Sequence, residues 1–455
     1  MGRAALLAFL VSAALPPSAA PGAEGLSPRF AVRAVKLGGA LSEPETLEHV
    51  RWARARGFDA LFVYAGEAGR WWDDSRKSPR LTRAFRRLAR EAGRTRTRLL
   101  VSANPPADSR GKFVFADPAG LERLLRFAEL LHGAGVSDFV LSFDDQPRTL
   151  GNLRDVLRYG EGAAPAHLDL AARLSARLPT GMRLWLCASA YADVHLGDGT
   201  GPYSRAFLAG LPALPSSVGI VWTGPDVVSP TITREDLRRT RARLGGRPLL
   251  LYDNFPQNES RWRDGLGVVL GPLRGRAADL AAEAEIYLAC PMLELGASRL
   301  ALSTTADWLR DPDAYVPEAS WASAIASLAG PDPAAREALR AQAEEWGQAP
   351  GEPGYPAGEA VAPAQAARGF HDPVIRARWQ RVVDTYPARI DALVTAADPE
   401  FSWDLRDVLR RTLAVARAWL AVDDGNQAAV EALWREAHGT TRRALLGFLR
   451  EAGVR

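Results

Sequence analysis

A chain of 455 residues with 47% hydrophobic and 24% charged residues has the make-up of a globular protein, neither disordered nor collagenous, and is long enough for two or three domains. Its 57 basic and 53 acidic residues leave a net charge of only +4, and no basic block or arm stands out, which argues against nucleic acid as the partner. Two cysteines exclude a disulfide scaffold and a cysteine-based zinc site.

Residues 1–23 read as a secretory signal peptide. Arg3 supplies a short positive start, Ala4 to Leu15 is an almost unbroken apolar run, and small residues follow at Ser18, Ala19, Ala20 and Ala23. The run is too short for a permanent membrane span, and no later segment is long and apolar enough. The expectation is an exported protein, periplasmic or secreted, with no stable membrane insertion once the signal is removed. Cys187 and Cys290 would then meet an oxidising compartment, and one isolated pair gives no reason to expect a bridge.

Strand-sized apolar runs follow at 30–35, 60–63, 98–102, 138–141, 183–187, 219–223, 249–252 and 299–303. They lack polar alternation, as strands buried on both faces do. Helical periods lie between them, as at 44–56 and 121–132, with Gly57, Gly133 and Gly135 where helices would stop. Repeated strand–helix units of this kind predict a (β/α)8 TIM barrel over 24–325. A doubly wound sheet is the alternative, but no Gly-x-Gly-x-x-Gly follows the first strand. Beyond Ser320 the strand signature stops. Helices are predicted over 334–346, 374–386, 403–420 and 426–451, with a Gly/Pro/Ala-rich connection at 348–369. The segment 326–455 is therefore read as an all-α C-terminal domain.

In a barrel, chemistry gathers where the strands end. The fourth run ends in Ser142-Phe143-Asp144-Asp145-Gln146. Two adjacent carboxylates can divide into an acid and an ionised stabiliser, the usual equipment for cleaving a glycosidic bond. A helix N-cap or a metal site would use the same residues. The fifth run leads to Tyr191, a hydroxyl donor or an aromatic face, and the sixth to Trp222, which suits a sugar face or a barrel filler. The seventh leads to Tyr252-Asp253-Asn254, whose amide offers both a donor and an acceptor. The six histidines are scattered without metal-ligand spacing, so no metal is expected and nothing implies a nucleotide, a flavin or any other cofactor.

Taken together these stretches are more specific. Phe143-Asp144-Asp145, Cys187 to Tyr191, Trp222-Thr223-Gly224-Pro225 and Tyr252-Asp253-Asn254 occur in that order, followed by Leu270-Gly271-Pro272-Leu273-Arg274-Gly275-Arg276. Residues 29 to 325 thus resemble glycoside hydrolase family 84, the O-GlcNAcases and bacterial β-N-acetylglucosaminidases. The resemblance implies substrate-assisted retaining catalysis through an oxazoline, with no protein nucleophile. Asp144 would hold the acetamido N–H. Asp145 would be general acid and then base. Tyr191 would bond the acetamido oxygen, and Asn254 would bind the sugar, beside Tyr252 and Trp222. Other positions depart from the family pattern. Lys36-Leu37-Gly38-Gly39 replaces the usual end of the first strand, Glu67 falls at the family lysine, Glu259 at the family aspartate and Cys290 at the family asparagine. An ion pair between Lys36 and Glu67 would rebuild that wall for another sugar. The expected partner is a glycan or glycoconjugate, with two alternatives: the same mechanism on a different 2-acetamido sugar, or a glycan-binding protein with little turnover.

Overall fold

The computed structural model describes residues 27–37, 45–64, 79–108, 112–258, 268–347 and 369–454. Eight parallel strands close into a barrel in sequence order: β1 (Val32–Lys36), β2 (Ala60–Tyr64), β3 (Arg98–Ala103), β4 (Asp138–Ser142), β5 (Arg183–Cys187), β6 (Gly219–Trp222), β7 (Leu249–Pro256) and β8 (Ile286–Cys290). β8 pairs with β1, from Val32 opposite Ile286 to Val35 opposite Ala289. Helices α1 (Glu45–Arg56), α2 (Pro79–Thr95), α3 (Pro105–Asp108), α4 (Pro118–His132), α5 (Leu153–Tyr159), α6 (Ala163–Ser175), α7 (Asp193–Leu196), α8 (Pro202–Gly210), α9 (Arg234–Arg243) and α10 (Arg299–Arg310) fill the connections. Among the described residues, no helix is long and apolar enough to cross a membrane.

Alternation along each strand makes two cores. Val32, Ala34, Phe62, Leu100, Val140, Val221, Leu250, Ile286 and Leu288 fill the barrel axis. Their neighbours, such as Val35, Leu61, Val101, Phe139 and Leu251, pack under the helices. Near the strand starts the axis is plugged by polar groups. Fully buried Asp138 accepts from Arg98 Nε (2.5 Å), Arg183 Nε (3.1 Å) and Trp185 Nε1 (2.9 Å). Gly219 makes room for the plug, since a Cβ there would stand 2.3 Å from the Trp185 indole.

The eighth strand is not where the apolar runs predict it. Residues 299–303 open helix α10, and the strand is Ile286–Cys290. A helix buried on nearly every side reads as a continuous apolar run, just as an inner strand does, so periodicity cannot separate them. Length does: the α10 run continues to Arg310, whereas Ile-Tyr-Leu-Ala-Cys stops at Pro291.

The tail continues with α11 (Pro317–Ala329), α12 (Pro333–Glu345), α13 (Pro373–Ala392), α14 (Pro399–Asp423), α15 (Gln427–Glu436) and α16 (Gly439–Glu451). Three of these start on an Asp-Pro pair. Asp332, Asp372 and Asp398 accept from backbone N–H groups of the first turn, and the proline sits where its missing donor costs nothing. The division expected at 325 falls inside α11, and the helix expected over 426–451 is interrupted at Ala437-His438, where the backbone is extended. The connection expected at 348–369 lies almost wholly outside the described residues, as does the signal segment 1–23.

Candidate active site

The inward positions at the C-terminal ends of the strands line one cavity of about 550 Å³, within the usual range for small-molecule sites. Lys36, Tyr64, Ser142, Cys187, Tyr252 and Cys290 continue the inward alternation of β1, β2, β4, β5, β7 and β8. Asn254 continues the row within β7, and beyond the ends of β3, β4 and β6, Asn104, Asp144 and Thr223 extend the same rows.

Asp144 and Asp145 both line this cavity although they are consecutive. In an extended chain they would point apart. Asp145 takes φ +53°, the left-handed region that aspartate tolerates better than most residues, and the chain turns there. Asp144 Oδ1 accepts from Ser142 Oγ (2.5 Å) and Asn104 Nδ2 (3.0 Å). Burial pushes the Asp144 carboxyl above its usual range. The charge of Asp145 adds to that, and the Ser142 and Asn104 donors pull the other way. Asp145 is exposed to the cavity and accepts the Tyr191 hydroxyl at 2.7 Å. The more buried carboxylate is thus the first of the pair.

Burial and the Asp145 charge push the Tyr191 hydroxyl far above its usual range, so it stays a donor. Its ring meets His195 edge-on at 4.6 Å. Asn254 Nδ2 donates to Val227 O (2.7 Å), tying the loop after β6 to the end of β7. Tyr252 donates to Cys290 Sγ (3.4 Å) and meets Phe62 edge-on. Both cysteines are buried thiols, and burial beside Asp144 pushes Cys187 well above the usual thiol range, away from nucleophile chemistry. Among the described residues, no group of three or more His, Cys, Asp or Glu could hold a metal ion.

Behind the carboxylates lies a buried polar cluster. His167 stacks on Phe143 with centroids 3.8 Å apart, and its Nδ1 is 3.0 Å from the Tyr203 hydroxyl. Tyr203 accepts from Ser189 N (3.1 Å), while Ser189 Oγ donates to Phe143 O (2.9 Å). These contacts fix the Asp144-Asp145 loop against the loop that carries Tyr191. Burial lowers His167 to about 3, so the imidazole is neutral here.

Of the residues expected at the site, Lys36, Asp144, Asp145, Tyr191, Tyr252, Asn254 and Cys290 come together. Glu67 and Glu259, and with them the Lys36–Glu67 pair, lie outside the described residues. Trp222 is a correction. It is fully buried in the layer between strands and helices, so no sugar reaches its face. Alternation accounts for this: with Val221 inward, Trp222 points outward and Thr223 returns to the cavity. Thr223 could have been found by that count. Asn104, Ser142 and Gln257 also line the cavity; the first two stand on the inward rows of β3 and β4, but their residue types carry no signal of their own.

Three comparisons bear on this arrangement. The beta-N-acetylglucosaminidase family model matches residues 67–344. Protein O-GlcNAcase of Rattus norvegicus and that of Mus musculus are each 25% identical over 199 residues, 43% of this chain. That stretch is 21% of their length, so the chain spans about a fifth of these curated relatives. A solved mutant of the Thermobaculum terrenum O-GlcNAc hydrolase is 21% identical, covers 93% of this chain with 94% of its own, and superposes with a TM-score of 0.64, a likeness of fold.

Proposed function

The chain belongs to the beta-N-acetylglucosaminidase family of glycoside hydrolases, and from that membership we propose that it removes β-linked N-acetylglucosamine, or a related 2-acetamido sugar, by substrate-assisted retaining catalysis. The acetamido carbonyl oxygen attacks the anomeric carbon of its own sugar as the glycosidic C–O bond breaks. Asp145 gives its proton to the leaving oxygen, and an oxazolinium forms. Water then adds to the anomeric carbon, opens the oxazoline, and passes a proton back to Asp145, so the product keeps its configuration.

Asp144 accepts the acetamido N–H and faces the positive charge of the intermediate. That N–H joins Ser142 and Asn104 as a third donor, which favours the carboxylate form when the sugar is bound. Tyr191, whose hydroxyl donates to Asp145 in this structure, turns that hydrogen bond to the acetamido oxygen of the bound sugar. Asn254 contacts the sugar from the end of β7. The observation that carries this reading is the placement of two consecutive carboxylates on one cavity, the second bonded to Tyr191.

A second reading, a different 2-acetamido sugar, is favoured by Cys290 and Lys36 on the cavity wall. One assay separates the possibilities: wild type, Asp144→Asn and Asp145→Asn against a panel of aryl 2-acetamido sugars. The preferred sugar identifies the substrate. If wild type hydrolyses none of them and binds no oxazoline mimic, the enzyme reading fails. We also propose export, on the strength of the apolar run from Ala4 behind Arg3; the N-terminal sequence of the mature protein tests it.

A further inference from the structure

Residues 79–96, which comprise helix α2 and Arg96, hold seven arginines against one acid, Glu91, a formal charge of +6 in a chain whose total is +4. The rest of the molecule is therefore slightly acidic. The linear sequence hides this concentration because the arginines are interleaved with apolar residues. Folding separates them: Ala84, Phe85, Leu88 and Ala92 are buried against the barrel, while Arg83, Arg86, Arg90 and Arg94 stand exposed. From Arg83 to Arg94 the stripe runs about 16 Å at 1.5 Å per residue. Helix α1 adds Arg51 and Arg54, both exposed. Glu91 joins the two helices, lying 2.7 Å from Arg51 and 3.7 Å from Arg94.

An arginine-rich composition alone does not produce this face. On α9, Arg234 and Arg241 reach Glu283, Arg238 reaches Glu235, and Arg239 reaches Asp236. On α2, by contrast, Arg83/Arg86, Arg86/Arg90 and Arg90/Arg94 are like charges at spacings of three and four, which disfavours the helix. Among the described residues Glu91 offsets Arg94, and external anions would relieve the like-charge repulsion among Arg83, Arg86 and Arg90.

We propose that the α1–α2 flank docks on an anionic lipid surface, its guanidinium groups taking lipid phosphates. Guanidinium and phosphate match in charge and in paired hydrogen-bond geometry. A plane of headgroups needs only outward charge. A nucleic-acid strand would call for aromatic stacking partners and a lined groove. The exposed side chains described on this flank are not aromatic, and Trp52 of α1 is buried against His49. Attachment is by charge alone, without insertion, so it weakens with salt.

The test is co-sedimentation of the full chain with vesicles of phosphatidylcholine alone or mixed with phosphatidylglycerol, at low and high salt. The expected result is binding to the anionic vesicles only, lost at high salt. At about fivefold per arginine, the triple variant Arg83→Gln/Arg86→Gln/Arg90→Gln should bind about a hundredfold more weakly. Glutamine relieves the repulsion, so this variant keeps its Tm and its activity on a soluble aryl glycoside. Arg234→Gln/Arg238→Gln on α9 should bind as wild type does. Equal binding to neutral vesicles, no binding to anionic ones, undiminished binding by the triple variant, or tighter binding to single-stranded DNA than to vesicles would overturn the proposal.

Discussion

Arg411 of α14 donates to Glu294 Oε1 at 2.9 Å, and this contact joins the helical tail to the loop that follows β8. The other Glu294 oxygen accepts from Asn258 Nδ2 (3.0 Å), and Asn258 Oδ1 accepts from Leu293 N (3.2 Å). Asn258 directly follows Gln257, which lines the cavity. On the tail side, Arg411 Nε lies 3.3 Å from Asp407, which accepts from Thr440 at 2.9 Å. The tail thus braces the β7–β8 wall of the site. Both charges are largely buried, so removing Arg411 strands Glu294, at about 3–5 kcal/mol. Arg411→Met should lower the Tm and raise KM more than it lowers kcat. Combined with Glu294→Gln it should cost less than the sum of the single changes. Strict additivity would show that the two side chains do not act as a unit.

Asp404, on the same helix, has a pH signature. Its Oδ2 accepts from Gly296 N (2.5 Å) and Ala297 N (3.2 Å) in that loop. Burial, reinforced by Glu294 and Glu400, raises its pKa to about 6 against those two donors. A carboxyl raised in the folded state binds its proton more readily there than in the unfolded chain, whose value is about 4. Its contribution is therefore fully present below pH of about 4 and is lost as pH rises through about 6. Asp404→Asn should leave the Tm unchanged near pH 4 and raise it at pH 7, by at most about 2–3 kcal/mol of stability. A Tm difference that shrinks on going from pH 4 to 7 would contradict this.

The barrel was legible because strands buried on both faces leave unbroken apolar runs, and Asp144-Asp145 was legible because its position at the end of the fourth run adds meaning to an otherwise ordinary dipeptide. What failed did so for a common reason: a run of apolar residues records burial and not direction. Residues 299–303 are as buried in a helix as Ile286–Cys290 are in a strand. Trp222 and Val221 are equally apolar, and only the strand alternation assigns one to the helices and the other to the axis. Ser142 and Asn104 became site residues only when folding brought them onto one carboxylate oxygen.

Asp144 sets function against stability. Burial raises its pKa, so its ionised form opposes folding at neutral pH, and stability falls as pH rises through the folded value. Asp144→Asn removes that charge and keeps an oxygen for the Ser142 and Asn104 donors. It should raise the Tm at neutral pH and lose this advantage in acid below about pH 4, where the unfolded aspartate is protonated too. The same change takes away the acceptor for the acetamido N–H and the charge facing the oxazolinium. By analogy with removing one group that stabilises transition-state charge, kcat should fall about 10²–10³-fold. Thermal melts at two pH values and steady-state kinetics check both halves. A variant that is less stable at neutral pH would contradict the burial argument, whatever its activity.

Asp145→Asn separates proton transfer from binding. If Asp145 protonates the leaving oxygen, its loss matters in proportion to how much that oxygen needs a proton. Alkyl and saccharide leaving groups should slow by about 10²–10⁴-fold, the usual worth of a general acid. A dinitrophenyl leaving group departs without one, so its glycoside should still form the oxazoline at close to the wild-type rate. The second step would then be slow, because the base that activates water is also gone, and a burst of phenol should precede turnover. Azide needs no base, so it should speed that step and give the β-glycosyl azide. Tyr191→Phe takes away the 2.7 Å hydrogen bond to Asp145 and the proposed donor to the acetamido oxygen, so it should slow activated and unactivated substrates alike. If Asp145→Asn instead slows both leaving-group classes equally and azide gives no glycosyl azide, Asp145 is not the acid, and its place beside Tyr191 serves to position the sugar.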